Sequence, residues 1–353
     1  MPEALPPPTI GVVANPVSAR DIRRVVANAG NLQITDRVNI VLRMLQAARA
    51  AGVQRALLMP DRGGIRALLE RHLKRGDDTL PALQWLDMEP SSTVDDTFAA
   101  TRLLQRAGVG AIVVLGGDGT HRAVVRELVE GASAIPIAGL STGTNNAFPE
   151  MREPTITGLA AGLFAAGRLP RDEALAANKL VEVAIADADD RRPPRRDVAI
   201  VDAVITHDRS VGARALWKTQ SLAAAYLAFA EPEAIGLSSI GGLLQPVGRR
   251  ERGGLAVQLA AEGETPRTVL HAPIAPGLVL PVPLAHWQRM EPDVPLTVPL
   301  TAGTVALDGE RELAFEAGQR VTVTLREAAF HTLDVARCMA MAARLGLLRN
   351  PPP

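Results

Sequence analysis

The chain has 353 residues, 47% of them hydrophobic and 22% charged, which is the balance of a globular protein long enough for two domain cores. Basic and acidic residues number 38 each, so a net charge of zero removes any general electrostatic case for nucleic acid or an anionic membrane as partner. No apolar run is long enough to cross a bilayer, "MPEALPPPTIGVV" lacks the basic region and long apolar core of a secretion signal, and the single cysteine, Cys338, excludes an internal disulfide and a thiolate metal cluster. A cytoplasmic protein is expected, with Cys338 in the core of an apolar helix, "VARCMAMAA".

From residue 9 to about 150, apolar strands alternate with helical stretches. "TIGVVAN", "RALLMP", "LQWLD", "AIVVLG" and "AIPIAGL" read as strands, and "ARDIRRVVANAG", "TDRVNIVLRMLQAARAAG", "GIRALLERHLKRG" and "VDDTFAATRLLQRAG" carry helical spacing between them. This alternation predicts a Rossmann-like α/β domain over residues 1–150, a parallel sheet with helices on both faces and ligands at the carboxyl ends of its strands. At the first such end, "ANPVSARDIRR" places Asn15 and Pro16 after a strand and Ser18 as the N-cap of a helix, with Arg20, Arg23 and Arg24 on the next turns. Those arginines read equally as phosphate ligands or as an exposed helix face.

The stretch "IVVLGGDGTHR" runs from a short β-branched strand into Gly116, Gly117 and Gly119, which allow unusual backbone angles and let a ligand lie against the chain. Thr120 would cap a helix through "HRAVVRELVEG", whose positive end would face the turn, a usual place for phosphate. Asp118 fits such a place badly, because two anions repel unless a cation lies between them or the carboxylate has a proton to take. Both conditions describe phosphoryl transfer. The plain alternative is a tight strand-to-helix turn with aspartate as a turn former.

The next strand ends in "GLSTGTNNAFPE". Ser141, Thr142, Gly143, Thr144, Asn145 and Asn146 supply a dense group of donors and no charge. Residues 139–143 also match the G-x-S-x-G signature of serine hydrolases, but two asparagines and Pro149 follow where that signature needs a helix, and no histidine is marked out as its base.

Beyond a connecting helix at "TITGLAAGLFAAGRL" the texture changes. "KLVEVAIADADDRRPPRRDVAIVDAVIT" reads as two strands around a charged turn, in which "RRPPRR" faces "DADD". Residues 254–325 give strands broken by proline and glycine, with Asp308 in the turn of "VALDGERE". One helix is expected within this part at "ARALWKTQSLAAAYLAFA". The organisation predicted is a β-rich, β-sandwich domain over 151–327 on the acceptor side, then a last helix over about 328–347, in the segment 328–353, that returns to the first domain. Walker A, G-x-G-x-x-G and H-E-x-x-H sequences are absent, which removes the main support for P-loop kinases, ordinary dinucleotide dehydrogenases and zincins.

Together these residues resemble the superfamily that joins NAD kinases with diacylglycerol and sphingosine kinases. The chain is more similar still to the acetoin-catabolism protein X group, described as ATP-NAD kinase-like. The likeness covers most of the chain and is carried by "NPVSARDIRR", "VVLGGDGTHR", "LSTGTNNAFPE", "VDAVITHDRSVGARALW", "APIAPGLV" and "TVALDGERE". It implies that Gly116, Gly117, Asp118, Gly119 and Thr120 hold nucleotide phosphates, and that Asp118 acts as base toward a hydroxyl or helps to order magnesium. ATP and Mg2+ are the implied cofactors and NAD the leading acceptor; no side chain is assigned as a metal ligand, and oligomeric state stays open. NAD kinases carry an Asn-Glu pair on a second-domain strand where this chain has Asp202-Ala203, and their substrate segment is reduced here to "GLSSIGGLLQP". Asp202 is thus expected on the acceptor side, while the acceptor itself does not follow. A lipid or other small alcohol as acceptor, or a non-catalytic nucleotide-binding regulator, are the alternatives.

Overall fold

The computed structural model describes residues 6–16, 32–73, 78–142, 146–187, 189, 192–208, 221–309 and 311–349. Ser18, the arginines after it and the helix expected over 19–30 lie outside the described residues, as do Gly143, Thr144 and Asn145.

Five short strands, β1 (Thr9–Ala14), β2 (Arg55–Leu58), β3 (Ala82–Trp85), β4 (Ala111–Gly116) and β5 (Ile137–Ser141), pair in parallel in the order β3-β2-β1-β4-β5. Every residue of β1 and β4 is buried, because helices cover both faces and leave these strands no polar side. One face holds α1 (Ile34–Ala50), α2 (Ile65–Leu73) and α5 (Pro154–Ala165); the other holds α3 (Val94–Arg106) and α4 (Asp118–Glu130). Alternation along β4 divides the two cores, Ile112 and Val114 facing one, Ala111, Val113 and Leu115 the other. The small residues of "TITGLAAGLFAAG" have a packing role: a Cβ on Gly158 would lie 2.2 Å from the Met44 carbonyl oxygen, so α5 and α1 meet backbone to backbone.

The second half begins with the turn α6 (Arg171–Ala174) and continues the same sheet rather than starting a separate one. The long strands β6 (Leu175–Asp187) and β16 (Gln319–Leu333) pair antiparallel, β16 meets β5 in parallel at Thr332 and Ile137, and β7 (Arg195–Ala199) lies outside β6. A bulge between Arg326 and Phe330, with Ala328 at a φ of 48°, bends β16 between its two roles. A second sheet of seven strands, counted among the described residues, packs against it in the order β11-β12-β10-β9-β8-β14-β15. Its members are β8 (Asp202–Thr206), β9 (Leu222–Leu227), β10 (Gly254–Leu259), β11 (Thr268–Ala275), β12 (Leu278–Met290), β14 (Gly303–Leu307) and β15 (Arg311–Phe315). The two-residue β13 (Leu296–Thr297) pairs with β16, α7 (Ser238–Leu244) covers the outer face near β11, and α8 (Val335–Arg344) packs Cys338, Met341 and Ala342 into the core beneath α5.

Three sequence expectations are corrected. Where a helix was expected over 213–230, the described part is strand β9, central in its sheet. Its alanine-rich stretch has helical propensity, but Ala224 and Tyr226 face one core while Ala225 and Leu227 face the other, so burial between two layers decides the conformation. Residues 179–206 hold parts of three strands rather than two, because the chain turns at Ile200–Val201 before β8. Residues 328–333 belong to β16, so the last helix starts at Val335, where the Asp334 carboxylate accepts the Arg337 N–H.

His121 lies wholly buried on α4, with Nδ1–H donating to the Gly117 carbonyl at 2.8 Å and its ring 5.9 Å from that of Phe148. Its Nε2 has no partner among the described residues. Burial holds its pKa down at about 4, against the pull of the Gly117 hydrogen bond. The unfolded chain therefore takes up a proton near pH 6.5 that the folded protein refuses until about pH 4. Stability contributed here is complete above pH 6.5 and declines as pH falls toward 4, by about 3 kcal/mol in all. Urea unfolding at pH 7 and pH 4.5 should show a smaller acid-induced loss in His121→Leu than in the parent; equal losses would refute the buried neutral imidazole.

Ala203 is fully buried and faces the core between the sheets. Restoring the acidic residue of NAD kinases by Ala203→Glu should therefore cost about 3 kcal/mol or more, the penalty of a buried unpaired charge. Denaturant titration decides the matter, and a variant as stable as the parent that also binds NAD more tightly would overturn this placement.

Candidate active site

Strand β4 ends at Gly116 and α4 begins at Asp118, with Gly117 as N-cap at φ −93°. Gly116, Gly117 and Gly119 all stay out of the left-handed region, so the turn's first two glycines serve space rather than dihedral freedom. A Cβ on Gly116 would come 2.6 Å from Thr120 Cβ, and one on Gly117 would come 2.9 Å from Asn146 Oδ1. The helix starts two residues before the expected cap. Thr120 accordingly sits inside its first turn, 8% exposed, and its hydroxyl accepts a hydrogen bond from Asn15 Nδ2 at 3.2 Å. The Asn15 carbonyl in turn accepts from Arg37 on α1 at 2.9 Å. Arg37 is buried at a strand end; in sequence it reads only as one more charge on an amphipathic helix.

Asp118 does not point freely from the turn. Its two carboxylate oxygens accept the backbone N–H groups of Ala147 at 2.9 Å and Phe148 at 2.8 Å. The loop after β5 is thereby docked on the start of α4. Asn146 Nδ2 donates to Ser141 Oγ at 2.9 Å, and the Thr142 N–H donates to the Gly116 carbonyl at 3.4 Å, while the buried Thr142 hydroxyl has no partner among the described residues. Of the predicted nucleotide-binding residues, Asn15, Gly116, Gly117, Gly119, Thr120, Ser141, Thr142 and Asn146 thus meet around the carboxyl ends of β1, β4 and β5.

A cavity of about 30 Å³ lies between this turn and the second half of the chain. It is large enough for about two water molecules. Asp118 faces it from one side, Asp202 and Asp308 from the other, with Ser238, Leu237 and Ile274 between them. Asp202 opens β8 and is 8% exposed. Asp308, at φ 49° in the turn between β14 and β15, is 6% exposed and accepts the N–H groups of Ile200 at 2.9 Å, Val201 at 2.8 Å and Asp202 at 3.1 Å. Burial, and next the charge of Asp202, push its carboxyl well above the usual carboxylate range, against the Ile200 N–H and the Arg122 guanidinium. The Asp-Gly pair shows this turn in sequence, but nothing local shows that the turn closes inward.

Arg122, one helical turn beyond Asp118, is 3% exposed and pairs with Asp197 on β7 at 3.3 Å. A buried cation thus joins the first half to the second directly behind the carboxylates. Such a pair contributes little net stability, but removal of either partner leaves a costly buried charge. Among the described residues no group of three or more His, Cys, Asp or Glu side chains comes together as a metal cluster. No helix there is long and apolar enough to cross a membrane.

Residues 10–169 match the ATP-NAD kinase N-terminal domain, and residues 179–328 match the acetoin catabolism protein X C-terminal domain. A yeast NADH kinase solved with NADH shares the fold, at 11% identity and a TM-score of 0.50, over 99% of this chain and 90% of that one. Acetoin catabolism protein X of Cupriavidus necator is 60% identical over 348 residues, which is 98% of this chain and 95% of that protein. With an NAD kinase-like first domain, a strand-rich second domain and this likeness along nearly its whole length, the chain belongs to the acetoin catabolism protein X family.

Proposed function

We propose that the protein is a magnesium-dependent phosphotransferase that moves the terminal phosphoryl group of ATP to a hydroxyl, with NAD the first acceptor to test. The observation that carries this reading is the meeting of Asp118 with Asp202 and Asp308 in one cavity beside the amino end of α4. The helix end suits phosphate and the carboxylates suit a hydroxyl whose proton must leave. In the reaction the acceptor oxygen bonds to the γ-phosphorus, the bond to the β-bridging oxygen breaks, ADP departs, and the hydroxyl proton passes to Asp118.

Two N–H donors fix the direction of the Asp118 carboxylate before the acceptor arrives. Asp202 receives the acceptor on the opposite wall. Magnesium takes oxygen donors, few of them from protein, and when bound with the nucleotide it would neutralise phosphate charge beside these carboxylates. Asn15 with Thr120 and Asn146 with Ser141 already form two hydrogen-bonded pairs beside the turn, whose polar groups suit the phosphates. The partners on this reading are a nucleotide and a small hydroxyl compound, with neither nucleic acid nor membrane. Three carboxylates around a small cavity speak against a lipid acceptor, which would want an apolar channel. The non-catalytic regulator draws support from Ala203, which leaves the acceptor side without the acidic group of NAD kinases.

An ADP-release assay over NAD, NADH and a panel of alcohols and lipids separates these readings, with Asp118→Asn as the decisive variant. Asparagine offers one acceptor oxygen to the two N–H groups of Ala147 and Phe148, so its amide must face one of them and stability should fall by about 1–3 kcal/mol on any reading. Turnover of the folded variant should fall by about 10²–10⁴ if Asp118 takes the proton. Near-normal turnover on an identified acceptor would remove Asp118 from the chemistry, and a parent protein that binds ATP yet releases no ADP with any acceptor would favour the regulator.

A further inference from the structure

The residues that hold Asp118 are themselves held from the other side. Arg249, in the loop between α7 and β10, donates through Nη1 to the Phe148 carbonyl at 2.6 Å and through Nη2 to the Ala147 carbonyl. The Ala147 carbonyl and the Phe148 N–H belong to one peptide group. A continuous chain of donors and acceptors therefore runs from the Arg249 guanidinium through that peptide to the Asp118 carboxylate.

We propose that Arg249 is a positioning residue for Asp118, gripping from the second half of the chain the same segment whose amides orient the carboxylate. This rests on the phosphotransferase reading for its catalytic meaning, but the grip itself does not. A guanidinium suits the task because its planar fork fixes two carbonyls at once, and because its charge polarises the peptide and strengthens the N–H that faces Asp118.

Arg249 is well anchored. Its Nε donates to Glu231 at 3.1 Å, and its guanidinium lies 4.5 Å from the centre of the Phe229 ring and 5.6 Å from that of Phe148. The loop that carries it is pinned from below by Lys179 on β6. That buried ammonium donates to the carbonyls of Gly248, Glu251 and Gly253 at 3.0, 2.7 and 2.7 Å, spending its three hydrogens on backbone. The Gly253 N–H donates to Glu327 on β16 at 2.7 Å. Neighbouring Arg250 pairs with Asp334, which caps α8. The loop is therefore a rigid extension of the long β6–β16 pair, and Arg249 is its tip against the first half.

Hydrogen exchange of the Ala147 and Phe148 amides, followed in the whole protein without ligand, tests the grip. Arg249→Met should raise exchange at these two amides by about tenfold or more, while the amides of β4 keep their parent rates. Arg249→Lys, which keeps the charge and loses the fork, should restore part of the protection and serves if the methionine variant folds poorly. Lys179→Met should show a smaller rise at the same two amides. With an acceptor identified, Arg249→Met should lower kcat by about 10-fold to 100-fold and leave the KM for ATP within about threefold, as expected for a misplaced catalytic group. Exchange at 147 and 148 unchanged in Arg249→Met would overturn the proposal, as would a change spread evenly over β4 and α4. Loss of ADP release from the parent protein would sink the phosphotransferase reading and leave the exchange result to decide the grip.

Discussion

Two consecutive backbone N–H groups on one carboxylate, those of Ala147 and Phe148 on Asp118, are the contact on which the candidate site depends. A carboxylate at the first position of a helix is favoured by the helix dipole, and two amide donors fix its direction. The same contact turns the chain after β5 back across the end of β4 and brings Asn146 against Gly117, where no Cβ could fit without moving the amide. Gly117 is needed for that closeness. A loop that sequence suggests as a cradle for phosphate is, in its own packing, a seat for its neighbouring loop.

The second constraint is the continuity of the large sheet. Because β6 and β16 extend the parallel sheet through β5, the two halves of the chain are parts of one framework rather than bodies joined by a linker. Asp202 and Asp308 reach the cavity from the sheet packed against that framework, and Arg122 links α4 to β7 behind them. Placing several carboxylates close together in a buried position is unfavourable unless their charge is offset or their protonation shifted. Here N–H groups and one guanidinium offset part of it, and the raised affinity of Asp308 for a proton accounts for more.

Much of this was legible in the residues. Strand-to-helix alternation gave the parallel sheet, and the glycine-rich turn and the Asn- and Thr-rich loop gave the two sides of one strand-end site. What failed has physical causes. Alanine-rich β9 was misread because helical propensity is local whereas burial between two sheets is not. The extra strand in 179–206 was missed because only two buried residues, Ile200 and Val201, turn the chain between β7 and β8, and the late start of the last helix because β16 outruns the usual strand length and the bulge at Ala328 hides that it continues. Arg37, Arg122 and Arg249 stayed invisible since a buried arginine has the same letter as a solvated one, and only the fold shows which carbonyl or carboxylate it meets. Asp308 was recognised as a turn, but its inward direction comes from the pairing of β14 with β8, which no local pattern encodes.

The central claim is that a nucleotide places its phosphates at the start of α4, within reach of the cavity that Asp118, Asp202 and Asp308 share. A crystal structure of the protein grown with magnesium and a non-hydrolysable ATP analogue tests it most directly. The account predicts terminal phosphate oxygens against the 116–120 turn and the Asn146 side, with the cation between them and the carboxylates. An analogue bound elsewhere, or phosphates turned away from Asp118, would contradict it.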